Sequence, residues 1–180
     1  EEVPPLTLFN SDLSNFDTSN VIDMSHMFSN AIKFNQDLLN FDTRKVTSFN
    51  YMFQGAAKFN GDLSSFNTSN VVDMSYMFIN AIQFNQDLLN FDTRKVTYFE
   101  CMFQGAYHFN GDVSSFETAQ AVDPVYPENT RVGGFLGGSS FNRTVCGGTW
   151  AETSNNQLLE VGGRLGCCPA GSFMGNPFFD

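Results

Sequence analysis

Asp12, Asp37, Asp62, Asp87 and Asp112 stand 25 residues apart, each followed by Leu or, at the last, by Val113. No other feature restricts the fold of this chain as strongly. A unit of 25 residues cannot bury its own apolar face, so its copies must stack. Other columns keep the same register: Phe9, Phe34, Phe59, Phe84 and Phe109, each followed by Asn; Phe16, Phe41, Phe66, Phe91 and Phe116; Thr18, Thr43, Thr68, Thr93 and Thr118. A second period overlies the first. Odd units carry "TSNV" from Thr18 and Thr68, and even units carry "TRKV" from Thr43 and Thr93. The stretch "FNQDLLNFDTRKVT" therefore occurs twice, at Phe34 and Phe84, and the fifth copy decays into "AQAVDPVYPEN".

Within one unit the apolar spacing reads as two elements. Met24, Met27, Phe28 and Ala31 fall at i, i+3, i+4 and i+7, the stripe of a short helix, and the units at Phe49 and Met74 repeat it. Asn30, Gly55, Asn80 and Gly105 follow as left-handed residues ending that turn. In "FNQDL", Phe34, Gln36 and Leu38 alternate with Asn35 and Asp37, which predicts a short strand. The expectation is an α/β solenoid, leucine-rich-repeat-like, with one short strand and one short helix per 25-residue coil around a Phe-rich core. Stacked strands would lie about 4.8 Å apart in a narrow parallel sheet.

The stretch "LSNFDTSNVIDMSHMFSNAIKFNQDL" resembles the repeat of BspA-type leucine-rich-repeat surface proteins. The likeness runs from about Leu6 to Val122 in four good copies, with Phe where Trp is commoner before Asp-Thr. It implies an extracellular or cell-surface protein used in adhesion and protein contacts, and it implies no enzymatic chemistry.

Residues 1–122 are read as the solenoid and residues 123–180 as a different segment. Eleven of the 15 Gly and three of the four Cys lie beyond Asp123, and "DPVYPEN" interrupts the pattern with two Pro. This reads as a Gly-rich, Cys-containing C-terminal cap; "CCPAGSF" is similar to the openings of Cys-rich extracellular modules, with more such sequence expected beyond "NPFFD". The opening "EEVPPLTLF" fits either a processed N-terminus or a piece of a longer protein. Neighbouring Cys167 and Cys168 would form a strained bond with each other, so each is expected to seek a distant partner. Cys146 with one of them is the first expectation, and Cys101 takes the other if the cap folds back, or else stays a thiol. Zinc is disfavoured because no C-x-x-C occurs and His26 and His108 are far apart. Asn67 and Asn142 open N-x-S/T sequons, and Asn67 replaces the acid that other units carry in its column.

The acidic ladder admits two readings. Five carboxylates about 4.8 Å apart repel one another by ~0.9 kcal/mol per neighbouring pair even in water. Either each Asp accepts backbone N–H bonds in its own coil, or Ca²⁺ sits along Asp12, Asp37, Asp62, Asp87 and Asp112. No cofactor is otherwise expected.

Function is bounded chiefly by exclusion. A net charge of −10 argues against nucleic acid, and no apolar run is long enough to cross a bilayer. Two His, no nucleophile elbow and no paired acids in a cleft leave catalysis unsupported. Arg44-Lys45 and Arg94-Lys95 are expected to pair with Asp42 and Asp92. Two readings remain: a secreted or surface module contacting proteins or glycans, or a structural subunit packing with its own copies in an extracellular filament or surface layer. The fourth unit differs from the second in its aromatics, so Tyr98, Tyr107 and His108 form the candidate contact patch or a shelf for the cap.

Overall fold

The computed structural model describes residues 5–121 and 135–141. The described chain is a stack of coils in 25-residue register. The N–H groups of Met24, His26, Phe28 and Asn30 donate to the carbonyls of Ser48, Asn50, Met52 and Gln54 at 3.1, 2.9, 2.9 and 2.6 Å. The same bonds recur from Phe49, Tyr51, Phe53 and Gly55, and again from Met74, Tyr76, Phe78 and Asn80. Intervening residues bond within their own coil: Met27 N–H to Met24 O, Ser29 to His26, Ala31 to Phe28. One N–H ties neighbouring coils and the next closes a four-residue turn.

This pattern overturns the α/β solenoid. Among the described residues there is no α-helix, no β-strand and no sheet. Regular structure is limited to 3-10 turns at Pro5–Leu8 and Ala119–Ala121 and to single parallel bridges linking Asp23, Ser48, Asp73 and Tyr98. Left-handed residues explain the missing helix. Each coil carries two of them, at His26 and Asn30, Tyr51 and Gly55, Tyr76 and Asn80, Cys101 and Gly105, with φ between 49 and 70°. A positive φ at the third position of a turn is type II geometry, and an α-helix cannot pass through it. Three chained turns nonetheless send a side chain inward every three or four residues, which imitates a helical stripe.

The missing strand has another cause. The Asn35 N–H donates to Asn10 Oδ1 at 2.8 Å, and Asn60, Asn85 and Asn110 each repeat the bond to the Asn of the preceding coil. Side-chain oxygens have taken donors that a ladder would need. The inside-outside alternation survives without a strand: Phe34 and Leu38 are buried, while Asn35 and Asp37 are exposed.

Packing follows the columns. Phe28, Phe53, Phe78 and Phe103 stack at 5.4, 5.5 and 5.4 Å, and Phe34, Phe59, Phe84 and Phe109 at 5.7, 5.9 and 5.9 Å. Offset ring pairs add about 0.5–1.5 kcal/mol each beyond their buried area. Beside them runs a buried polar seam of Thr18, Thr43, Thr68 and Thr93, each hydroxyl donating to a backbone carbonyl of the next coil.

The 50-residue period has a steric origin. Asn30 and Asn80 lean over Gly55 and Gly105, filling the space that a Cβ there would need. A Cβ at Gly61 or Gly111 would strike the backbone carbonyl of Gln36 or Gln86 in the preceding coil. Large and small residues alternate from coil to coil, so two coils form the true structural unit.

The fourth coil is closed by Phe135–Phe141, part of the segment assigned from sequence to the cap. Phe103 and Gly105 donate to Phe135 O and Gly137 O, both at 2.8 Å. Gly138, with φ 69°, takes the place of Gly105 in this partial fifth run. Phe135 meets Phe103 at 90° and Phe99 at 82°, whereas the internal columns are nearly parallel. The expected boundary between residues 122 and 123 lies outside the described residues.

Candidate functional site

The exposed residues lie on long lateral faces, so each sequence-selected group is best located by its column. In the acidic ladder the odd-unit carboxylates turn back on their own coil: Asp12, Asp62 and Asp112 accept the N–H of Ser14, Ser64 and Ser114 at 2.8, 2.7 and 2.9 Å. Asp37 and Asp87 instead accept the N–H of Asp62 and Asp112, at 2.9 and 2.7 Å. The ladder thus alternates between local capping and coil-to-coil bonding. Among the described residues no three His, Cys, Asp or Glu side chains converge as a metal cluster would require.

A second exposed column carries the basic pairs. Arg44 grips Asp42 through Nε–Oδ1 and Nη2–Oδ2 at 2.9 and 2.6 Å, and Arg94 grips Asp92 with the same distances. The guanidinium hydrogen bonds pull both carboxyls down to about 2. Lys45 and Lys95 reach back to Asn20 and Asn70 Oδ1 at 2.7 and 2.8 Å. The arginines are largely engaged by their own coil, as the spacing anticipates.

Asn67 is exposed at an outer turn. Its Oδ1 accepts both the N–H and the hydroxyl of Ser69, at 3.1 and 2.7 Å, so the two polar residues of the sequon are already in contact. Asn142, Cys146, Cys167 and Cys168 lie outside the described residues. Cys101 is half-buried and continues the column of His26, Tyr51 and Tyr76, whose rings stack at 4.9 and 4.5 Å. Burial pushes the Cys101 thiol and the Tyr76 hydroxyl upward.

Tyr98 stands in the bridge column opposite Asp73. Tyr107, 57% exposed, stands beyond the turn run at the joint with the cap, and its carbonyl accepts the Ser140 hydroxyl. A shallow groove opens there between Asn80, Gly105, Tyr107 and Gly138. His108 is exposed beside Tyr107, its N–H bonded to Ile82 O at 3.1 Å.

Sequence reasoning missed the leading end of the stack. Leu6 is 47% and Phe16 56% exposed, and Phe9, Val21 and Met27 are only partly covered. Their counterparts in later coils are at most 3% exposed.

The family described as "Mycoplasma protein of unknown function, DUF285" matches residues 5–68 and 40–126, two overlapping stretches covering about two thirds of the chain. The chain belongs to this family. The DUF285 matches coincide with the coil stack and stop short of Phe135. No curated protein and no solved structure matches this DUF285 chain. Among its described residues no helix is long and apolar enough to cross a membrane.

Proposed function

We propose that this DUF285 protein is a non-catalytic repeat protein of the cell surface or extracellular space, making adhesive contacts with other proteins or surface glycans. The observation that carries this reading is the coil-to-coil register. It presents matching exposed side chains again every second coil, as at Leu39 and Leu89 or Arg44 and Arg94, a geometry suited to many modest contacts along an axis rather than to one reacting centre. The repeat's likeness to BspA-type surface proteins supports the location, and the exposed Asn67 sequon is compatible with a secreted chain. Removing Gln36–Asn85 preserves the register and both ends of the stack. The shortened protein should fold cooperatively and bind cells or matrix more weakly than the full chain. Full retention of binding by a folded variant would place the function outside the repeats.

A structural role in an extracellular assembly is the second reading. Leu39 and Leu89, 53% and 54% exposed, repeat an apolar contact two coils apart on one lateral face. Sedimentation separates the two: Leu39→Asp with Leu89→Asp should abolish any self-association and leave a purely adhesive module unchanged.

A further inference from the structure

We infer that Asn67 is the acceptor for an N-linked glycan, taken from a polyprenyl-diphosphate-linked oligosaccharide as the chain is secreted. This rests on the reading of the protein as a secreted or surface module and adds a modification site to it.

The column that holds Asn67 is otherwise acidic, with Asp17, Asp42, Asp92 and Glu117. Asp17 shows what the fold asks of this position. In Asp17-Thr18-Ser19 the carboxylate accepts the Ser19 N–H at 3.0 Å, as Asn67 Oδ1 accepts that of Ser69 at 3.1 Å. Both turns use a side-chain oxygen, and neither uses a side-chain nitrogen. The Nδ2 of Asn67 has no hydrogen-bond partner among the described residues, so the amide gives the stack nothing that a carboxylate would not. What the exchange adds is a nitrogen nucleophile inside N-x-S/T.

The surroundings leave that nitrogen within reach. The Asn67 N–H and carbonyl are both held by the Thr43 hydroxyl, at 2.8 and 2.9 Å, while the residue itself is exposed. Two positions on, even coils place Arg44 and Arg94, which clamp the Asp42 and Asp92 carboxylates. The third coil places Ser69 there instead, and no guanidinium bonds the Asn67 amide. Ser69 borders an open hollow with Asp92, Arg94 and Lys95, where a first sugar has room. A bulky glycan requires such a surface position. In the transfer, Nδ2 loses a proton to solvent and bonds to C1 of that sugar. The bond from C1 to the diphosphate oxygen breaks, and the diphosphate leaves with the electron pair.

The test directs the full chain through the secretory pathway of cultured eukaryotic cells behind a cleavable signal peptide. Peptide mapping of the secreted, cooperatively melting protein should find a glycan on Asn67 that peptide-N-glycosidase removes, converting that asparagine to aspartate. Mapping is required because Asn142 opens a second sequon. Ser69→Ala should lose the glycan with Asn67 intact, and Ser69→Thr should keep it. Asn67→Asp should lose it and melt as the parent does, since Asp17 holds the same turn. Folded, secreted protein with Asn67 unmodified overturns the inference, as does a glycan confined to a misfolded fraction or one that survives Ser69→Ala. Cell binding is measured on the same proteins: a chain glycosylated at Asn67 that binds nothing sinks only the adhesive reading, and an unmodified chain that binds sinks only this one.

Discussion

The hydroxyl of Thr43 joins two backbone groups of Asn67 in the next coil, donating to its carbonyl at 2.9 Å and accepting its N–H at 2.8 Å. One buried side chain satisfies two peptide groups where the coils have no backbone ladder. Thr43→Val keeps the shape and removes both bonds. The cost should be about 1–3 kcal/mol, read as a lower urea midpoint with an unchanged slope.

Gly55 is expected to tolerate no side chain. Its φ of 64° is left-handed, and Asn30 Oδ1 lies 2.7 Å from the position of an added Cβ. Gly55→Ala should lose about 1–3 kcal/mol through strained backbone and steric contact. Adding Asn30→Ala should return part of that loss, because it removes the contact but not the strain. Equal stability of the single and double variants would show that the backbone conformation alone sets the cost.

Phe53 and Phe16 should respond oppositely to truncation. Phe53 is fully buried and stacks on Phe28, Phe59 and Phe78 at 5.4, 3.9 and 5.5 Å. Phe53→Ala should cost ~3–5 kcal/mol by leaving a cavity between coils. Phe16→Ala, at a position 56% exposed, should cost under ~1 kcal/mol. Thermal unfolding of the two variants checks the contrast.

Acid should loosen the stack in a defined window. Asp42 and Asp92 titrate near about 2 in the folded chain, below the ordinary 3.8, because Arg44 and Arg94 bond their ionised forms. A depressed folded-state value means that this contribution is complete above about pH 4 and disappears as pH falls through about 2. Carboxyl NMR titration should return Asp42 toward the ordinary value in Arg44→Ala. An unmoved midpoint would refute the pairing.

The columns were legible in the sequence because burial depends on side-chain type at fixed spacing. Phe28, Phe34, Leu38 and Ala31 could be assigned inward from one unit and copied through the rest. Backbone conformation was less legible. His26, Tyr51, Tyr76 and Cys101 adopt a left-handed geometry that bulky residues rarely enter, and nothing in their identity announces it. A stripe at three- and four-residue spacing fits chained turns as well as a helix, and the alternation at Phe34–Leu38 fits an Asn-bonded segment as well as a strand. The bond from the Ser140 hydroxyl to the Tyr107 carbonyl was not legible, because it joins residues 33 apart outside the 25-residue register.

The Asn-over-Gly interlock also limits how such a chain can change through descent. Losing or gaining a single coil would place Asn30 beneath Asn80, or bring one glycine over another and leave a gap. Adding or losing two coils restores every partner. Within the stack, therefore, only a change of 50 residues keeps every Asn–Gly partner in place.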